Sequence, residues 1–350
     1  MACRQVAPVA FHSPRVVPAA IGGEQSLVRN NFCAPQLFHW RSSAYPDHQI
    51  GSDWGRDMSA ENDESLLHRL VSELSAVPGA RAIALGGSRA LGTASEHSDY
   101  DLGVYYDPNF ALDIDALRAV AVGLDDSGPV ATVTPICGWG PWINGGGWLT
   151  IGGQPVDVLY RDLSRTRRVI DECRAGEFGR YYQPGHPHAF ITTIYMGEIA
   201  YNRPLWDPHG DLMQLKTLTD PYPPVLANAL VDYFLFEARF SLENAHKSVD
   251  RDDVNYLAGC CFRCVACLCQ IVFALNEKYL INEKGAVARA EKLGCCPTDF
   301  NSRVAAGYQE IGSGAPAAAL ATFNALLADT VALRRHEKTL VKGSSGSGIC

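Results

Sequence analysis

The chain has 350 residues, a formal net charge of −8, 47% hydrophobic residues and 19% charged ones. This is the make-up of an ordinary soluble globular protein long enough for two domains, each with its own core. No long run of Lys or Arg is present, which argues against a long nucleic-acid partner, because basic side chains neutralising phosphate supply most of such affinity. An acidic balance suits a small cationic acceptor better.

Residues 1–57 are rich in Pro, His, Arg and Gly without sustained periodicity. No apolar core followed by a small-residue cleavage site marks a secretory signal, and the scarcity of acids gives only a weak transit-peptide reading. The segment reads as an unstructured extension, with Met58 an alternative start. From Asp63, apolar residues at Leu66, Leu67, Leu70, Val71 and Leu74 predict a helix. Asn62-Asp63-Glu64 supply its cap and first-turn charge, and Val77-Pro78-Gly79 ends it.

The stretch Ala84–Tyr106 organises the rest. Ala82–Leu85 reads as a short buried strand, Gly86-Gly87-Ser88 as a turn, and the segment from Arg89 as a short helix. Glycines let a backbone approach a ligand closely, and a helix start near Ser88 aims free amides at an anion. A second strand is expected to carry Asp99 and Asp101 on one face, with Tyr100 and Leu102 on the other. Paired carboxylates repel unless a cation lies between them, and hard oxygen donors suit Mg²⁺, which completes its shell with substrate phosphates. Gly87-x4-Gly92-Thr93 imitates a P-loop, but no lysine precedes the threonine, so the group that reaches the β/γ-phosphates is missing.

A helix is expected over about Asp113–Val122, then an extended segment Val130–Pro135 and a Gly/Trp loop from Cys137 to Trp148. Trp139, Trp142 and Trp148 either stack a base or sugar or plug the loop onto the core, and the second reading is preferred. Leu149–Ile151, Gly152-Gly153 and Val156–Arg161 make a hairpin in which Asp157 stands alone between apolar neighbours. Leu163–Gly176 reads as helix, followed by loops that hold His186 and His188, more readily solvated than functional. From Pro224 the pattern is helical: Leu226, Leu230, Phe234, Ala238 and Leu242 recur at near-helical spacing, and Val254–Leu280 reads as one long buried helix. Further helices are expected over Ala286–Leu293 and Pro316–Thr339, with a flexible Gly/Ser tail from Gly343. No internal repeat or membrane span is read.

Twelve cysteines are present, five of them (Cys260, Cys261, Cys264, Cys267 and Cys269) in one apolar segment. They read as small hydrophobes on a buried helix. Cys261, Cys264 and Cys267 cannot converge on one metal from a continuous helix. The default compartment is a reducing cytoplasm.

Gly87-Ser88, Asp99-Tyr-Asp101 and, later, Val156-Asp157-Val158 together resemble the nucleotidyltransferase superfamily typified by DNA polymerase beta, over about residues 80–162. Within it the small-molecule nucleotidyltransferases are the nearest likeness, with a helical C-terminal region similar to uncharacterised bacterial nucleotidyltransferase-domain proteins. The resemblance implies an α+β fold with a small mixed sheet flanked by helices, then an all-helical domain. The expected organisation is an extension (1–57), nucleotidyltransferase domain (58–165), connecting segment (166–222), helical domain (223–340) and tail (341–350).

The resemblance further implies that Asp99, Asp101 and Asp157 are catalytic and hold Mg²⁺, that Gly87, Ser88 and Arg89 bind an NTP, ATP being favoured, and that Asp157 activates an acceptor hydroxyl. Arg89 is equally compatible with a structural ion pair. Asn282, Glu283 and Lys284 are candidate acceptor contacts or helix caps. Neither the acceptor nor the oligomeric state is readable. The rival readings are an antibiotic-modifying adenylyltransferase, a toxin or regulator acting on tRNA or protein, and a non-catalytic nucleotide-binding module.

Overall fold

The structure, a computed structural model, describes residues 63–95 and 98–344. The expectations for residues 1–57, for Met58 and for the last six residues lie outside them. The described residues belong to one compact unit and have an α+β fold.

Helix α1 (Asp63–Ser75) precedes strand β1 (Ala80–Leu85), the single-turn helix α2 (Gly87–Ala90) and strand β2 (Tyr100–Tyr106). Helix α3 (Ile114–Leu124) is capped by Asp113, whose carboxylate accepts from the Ala116 amide. Short strand β3 (Thr132–Val133) and one-turn helix α4 (Gly140–Ile143) lead to β4 (Gly146–Ile151) and β5 (Gln154–Asp162). The sheet has the order β3-β4-β5-β2-β1, and β8 (Arg203–Trp206) closes it at the far edge. All its pairings are antiparallel except β2 with β5.

Alternation gives the sheet two different faces. Ile83, Leu85, Tyr100, Leu102, Val104, Val156, Val158 and Tyr160 point one way into a core shared with α1 and α3. Ala82, Ala84 and Tyr105 point the other way, into a second and larger core built with the remaining helices. These are α5 (Leu163–Arg174), α6 (Thr193–Tyr201), α7 (Asp211–Lys216), α8 (Pro224–His246), α9 (Val254–Leu275), α10 (Ala286–Glu291), α11 (Phe300–Gly312) and α12 (Pro316–Ser344). A two-stranded hairpin, β6 (Arg180–Gln183) and β7 (His186–Ile191), lies between α5 and α6 in the chain.

The turn between β4 and β5 fixes the register on which the site depends. Gly152 and Gly153 both have positive φ, +58° and +77°, as a two-residue hairpin turn matched to strand twist requires. Asp126 accepts from both of their amides, at 2.9 and 2.8 Å.

Several expectations need correction. Strand β2 begins at Tyr100, so Asp99 lies just ahead of it. The next register position on β5 is Pro155, which has no amide to extend the ladder. Val130–Pro135 is largely irregular, and Trp148 belongs to β4 rather than to a loop. The segment expected to be loops after α5 contains a hairpin, two helices and an edge strand. Helix α6 is buried nearly all round and β8 is four residues long, so neither displays a readable period. The long apolar helix stops at Leu275, five residues early. Glu277 takes φ +54°, and the Glu277 and Lys278 amides bond back to Ala274 and Phe273 at 3.1 and 2.9 Å. This closure normally uses glycine, so the sequence does not announce it. Gly343 and Ser344 continue α12 rather than open a tail.

Among the described residues two helices, Val254–Leu275 and Pro316–Arg334, are long and apolar enough to cross a membrane by length and composition alone. In the first, 67% of the most apolar stretch is buried within the protein, as a core helix requires. Its cysteines 261, 264, 267 and 269 are free and buried, as expected of small hydrophobes.

Candidate active site

Asp101 of β2 and Asp157 of β5 are direct register partners on adjacent parallel strands. They therefore share the face of the sheet that points away from α1 and α3. Trp148 of β4 is in turn the partner of Asp157, which extends the same row to an indole that is 55% exposed. On the other side of Asp101, the Gly86 amide donates to the Asp101 carbonyl at 2.7 Å and draws the Gly86–Ser88 turn against the strand. The row thus runs from the glycine-serine turn through two carboxylates to an aromatic surface. Asp99, exposed at the mouth of β2, adds its charge, which raises the pKa of both other acids.

The turn is fitted closely to Asp101. Gly87 has φ +59°, and a Cβ there would lie 1.7 Å from Asp101 Oδ2. Only glycine both adopts this conformation at no steric cost and leaves the carboxylate its place.

Burial pushes the Asp157 carboxyl up to about 6, with Asp101 and then Asp99 adding to the effect. Asp101 is raised by burial, Asp99 and Glu198. Lys284, from the helical half, acts in the opposite direction on both. Among the described residues no side chain forms a hydrogen bond or ion pair with these carboxylates. Two neighbouring carboxylates, Asp101 and Asp157, each disfavoured in ionised form by burial and by the charge of the acids around it, suit a divalent cation. Asp99, Asp101 and Asp157 are the residues that would hold it.

Arg89 is engaged elsewhere: its Nε and Nη2 donate to the Ser98 carbonyl at 3.2 and 2.9 Å, and its guanidinium lies 3.7 Å from the Tyr100 ring centre. It thereby braces the segment leading into Asp99. Ser88 is half-buried in the turn.

The tryptophans divide between the two readings. Trp142 stacks on Tyr181 at 4.3 Å and packs against the larger core. Trp139 stacks on Trp148 at 4.2 Å, and Trp148 remains 55% exposed.

His186 and His188 stand on β7 with little exposure, not in a solvated loop. His186 Nδ1 lies 3.2 Å from Glu283 Oε2, while the His188 amide donates to Glu283 Oε1 at 3.2 Å. Asn282 is not the helix cap, which is Gly285; its side chain accepts from the Lys284 amide at 2.7 Å and closes a turn ahead of α10. Glu283 instead anchors the turn to the hairpin, and Lys284 stays exposed. The sequence offered Lys284 as a candidate without a partner; the influence of Glu198 and the adjacency of Trp148 to Asp157 were missed. Only cross-strand register reveals the latter.

A solved structure, a nucleotidyltransferase-like protein from Exiguobacterium sibiricum, shares 10% identity, covering 77% of this chain and 76% of its own, with a TM-score of 0.38. Nothing is transferred from it at that level. No curated protein matches the chain. Residues 67–129, which include Gly87, Ser88, Asp99 and Asp101 but end before Asp157, match the nucleotidyltransferase domain, and it is this family that the chain resembles.

Proposed function

We propose that the protein is a metal-dependent nucleotidyltransferase that moves an NMP group from an NTP, ATP first, to a hydroxyl of a small-molecule acceptor in the cytoplasm, releasing pyrophosphate. The observation that carries this reading is the register pairing of Asp101 with Asp157 beside the Gly86–Ser88 turn. A divalent ion such as Mg²⁺, held by the three aspartates, would neutralise the triphosphate and stabilise the charge that develops on the attacking and leaving oxygens.

The chain's own groups account for the remaining steps. The turn at Gly87 and Ser88 receives the β/γ-phosphates. Lys284, exposed and close enough to influence both half-buried aspartates, adds positive charge for the phosphates. Asp157, whose carboxyl burial pushes up to about 6, accepts the proton of the acceptor hydroxyl as it attacks the α-phosphorus. Trp148 stands beyond Asp157, on the side away from the turn, and gives a sugar or other ring a surface to lie on. The indole suits a ring-bearing acceptor, and the net charge of −8 with no long Lys/Arg run weighs against tRNA.

The test is incubation of the protein with each NTP, Mg²⁺ and a panel of small hydroxylated acceptors, followed by mass spectrometry and pyrophosphate assay. The reading predicts a nucleotide-monophosphate mass gain on an acceptor with equimolar pyrophosphate. Tight nucleotide binding without pyrophosphate release under any condition would instead favour a non-catalytic module.

A further inference from the structure

His188 on β7, Glu237 on α8 and Cys267 on α9 converge, although none is near another in sequence. His188 Nε2 lies 3.0 Å from Glu237 Oε1 and 3.9 Å from Cys267 Sγ, and the three ligand atoms lie within 4.8 Å of one another. Tetrahedral zinc, bound at about 2.0–2.3 Å to nitrogen, oxygen and sulfur, spaces its ligand atoms at roughly 3.3–3.6 Å. The two separations from His188 Nε2, 3.0 and 3.9 Å, bracket that range, and the third, within 4.8 Å, closes as the ion draws the carboxylate and thiolate together. The side chains of His188 and Glu237 are 5% and 9% exposed, and Cys267 is fully buried.

We propose that His188, Glu237 and Cys267 form a zinc site, separate from the three aspartates. One imidazole, one carboxylate and one thiolate favour zinc over magnesium or calcium, which prefer all-oxygen shells. The cysteine helix alone could not build such a site; three elements can, each giving one ligand. On binding, zinc replaces the Cys267 thiol proton, which passes to solvent, and takes the Nε2 lone pair of His188, whose ring proton then sits on Nδ1 instead of bonding to Glu237. A neutral imidazole and an ionised carboxylate complete the protein ligands, and water takes the fourth position.

Arg263 Nε donates to Glu237 Oε1 at 2.6 Å, and Arg180 Nη1 lies 4.0 Å from Oε2. Ligand carboxylates are commonly hydrogen-bonded from outside in this way. The Arg263 and Arg180 side chains are 57% and 40% exposed, so both can withdraw toward solvent and open an entry path. The ion would pin the hairpin to α8 and α9. Because the His188 amide holds Glu283, it would also steady the turn that carries Lys284.

The test uses the full chain, purified without a metal-affinity column, stripped with a chelator, and titrated with Zn²⁺ against a chromogenic competitor. A parallel titration uses Co²⁺, whose bond to a thiolate gives a charge-transfer band. The proposal predicts one equivalent of Zn²⁺ per chain and a cobalt–thiolate band. Affinity should fall at least tenfold in Cys267→Ser and His188→Gln, yet persist in Cys264→Ser on the same helix. If circular dichroism shows Cys267→Ser unfolded, Glu237→Gln, nearly the same shape, makes the same test. Absence of stoichiometric uptake, uptake that survives these ligand substitutions, or equal loss in Cys264→Ser would overturn the site. None of these readings depends on nucleotidyl transfer.

Discussion

The two ends of one sheet face handle charge in opposite ways. Asp157 and Arg161 lie four residues apart on β5 and point the same way, as do Asp101 and Tyr105 on β2. At the Arg161 end the charge is enclosed and matched: Arg161 is 3% exposed and donates to both oxygens of Glu198, at 2.6 and 2.8 Å, and to the Ile143 carbonyl at 2.7 Å. Helix α6 covers this end, and Lys216 Nζ caps its last turn with bonds to the carbonyls of Ile199, Ala200 and Asn202. At the aspartate end, Asp101 and Asp157 stand side by side with the charge of Asp99 adding to theirs, and among the described residues the exposed Lys284 acts on both in the opposite direction. One end is completed by the chain itself. The other has, among the described residues, no side-chain hydrogen-bond or ion-pair partner.

The largest effect should come from the open end. Asp101→Asn is expected to reduce NMP transfer on the order of a thousandfold with the fold retained, as seen by circular dichroism and steady-state assay. Next is the closed end: Arg161→Met leaves Glu198 without its partner and should cost about 3 kcal/mol in denaturant unfolding, because a stranded charge is costlier than a missing pair. Arg161→Met with Glu198→Leu should recover part of that loss. Gly87→Ala places a methyl against Asp101 Oδ2 and should lower transfer on the order of a hundredfold while costing about 1 kcal/mol or somewhat more in stability.

The smallest effect runs in the unusual direction. Asp157 is raised from the ordinary 3.8 to about 6, so the folded protein holds this proton more tightly than the unfolded chain does. Stability therefore falls as pH rises between those values. Asp157→Asn, which cannot ionise, should raise the metal-free melting temperature by a few degrees above pH 6, and the gain should shrink as pH falls toward 4. An unchanged or lower melting temperature at pH 7.5 would mean that Asp157 bears no uncompensated charge.

How much of this was legible in the sequence follows from the physics of each element. The motif strands, α1, α3, the β4–β5 hairpin and the starts of α8, α9 and α12 announce themselves by period, caps and turn glycines. The acids were legible as a set: Asp157 alone between valines reads equally well as a surface residue, but beside Gly87-Ser88 and Asp99-Tyr-Asp101 it completes a pattern. Helix α6 and strand β8 were hidden because a helix buried all round shows no stripe and a four-residue strand shows no alternation. His188 beside Glu237 and Cys267, and Glu283 beside His186, are contacts across distant parts of the chain, which no local pattern encodes. Trp148 was visible as a residue but not as a neighbour of Asp157, since only the pairing register joins them.

The central claim is that Asp99, Asp101 and Asp157 act together on one metal-bound triphosphate. Calorimetric titration of ATP into the protein, with and without Mg²⁺, tests it most directly. The account predicts binding that requires Mg²⁺, strengthens as pH rises through about 6, and is lost in both Asp101→Asn and Asp157→Asn. Mg²⁺-dependent ATP binding of unchanged affinity in either variant would contradict it.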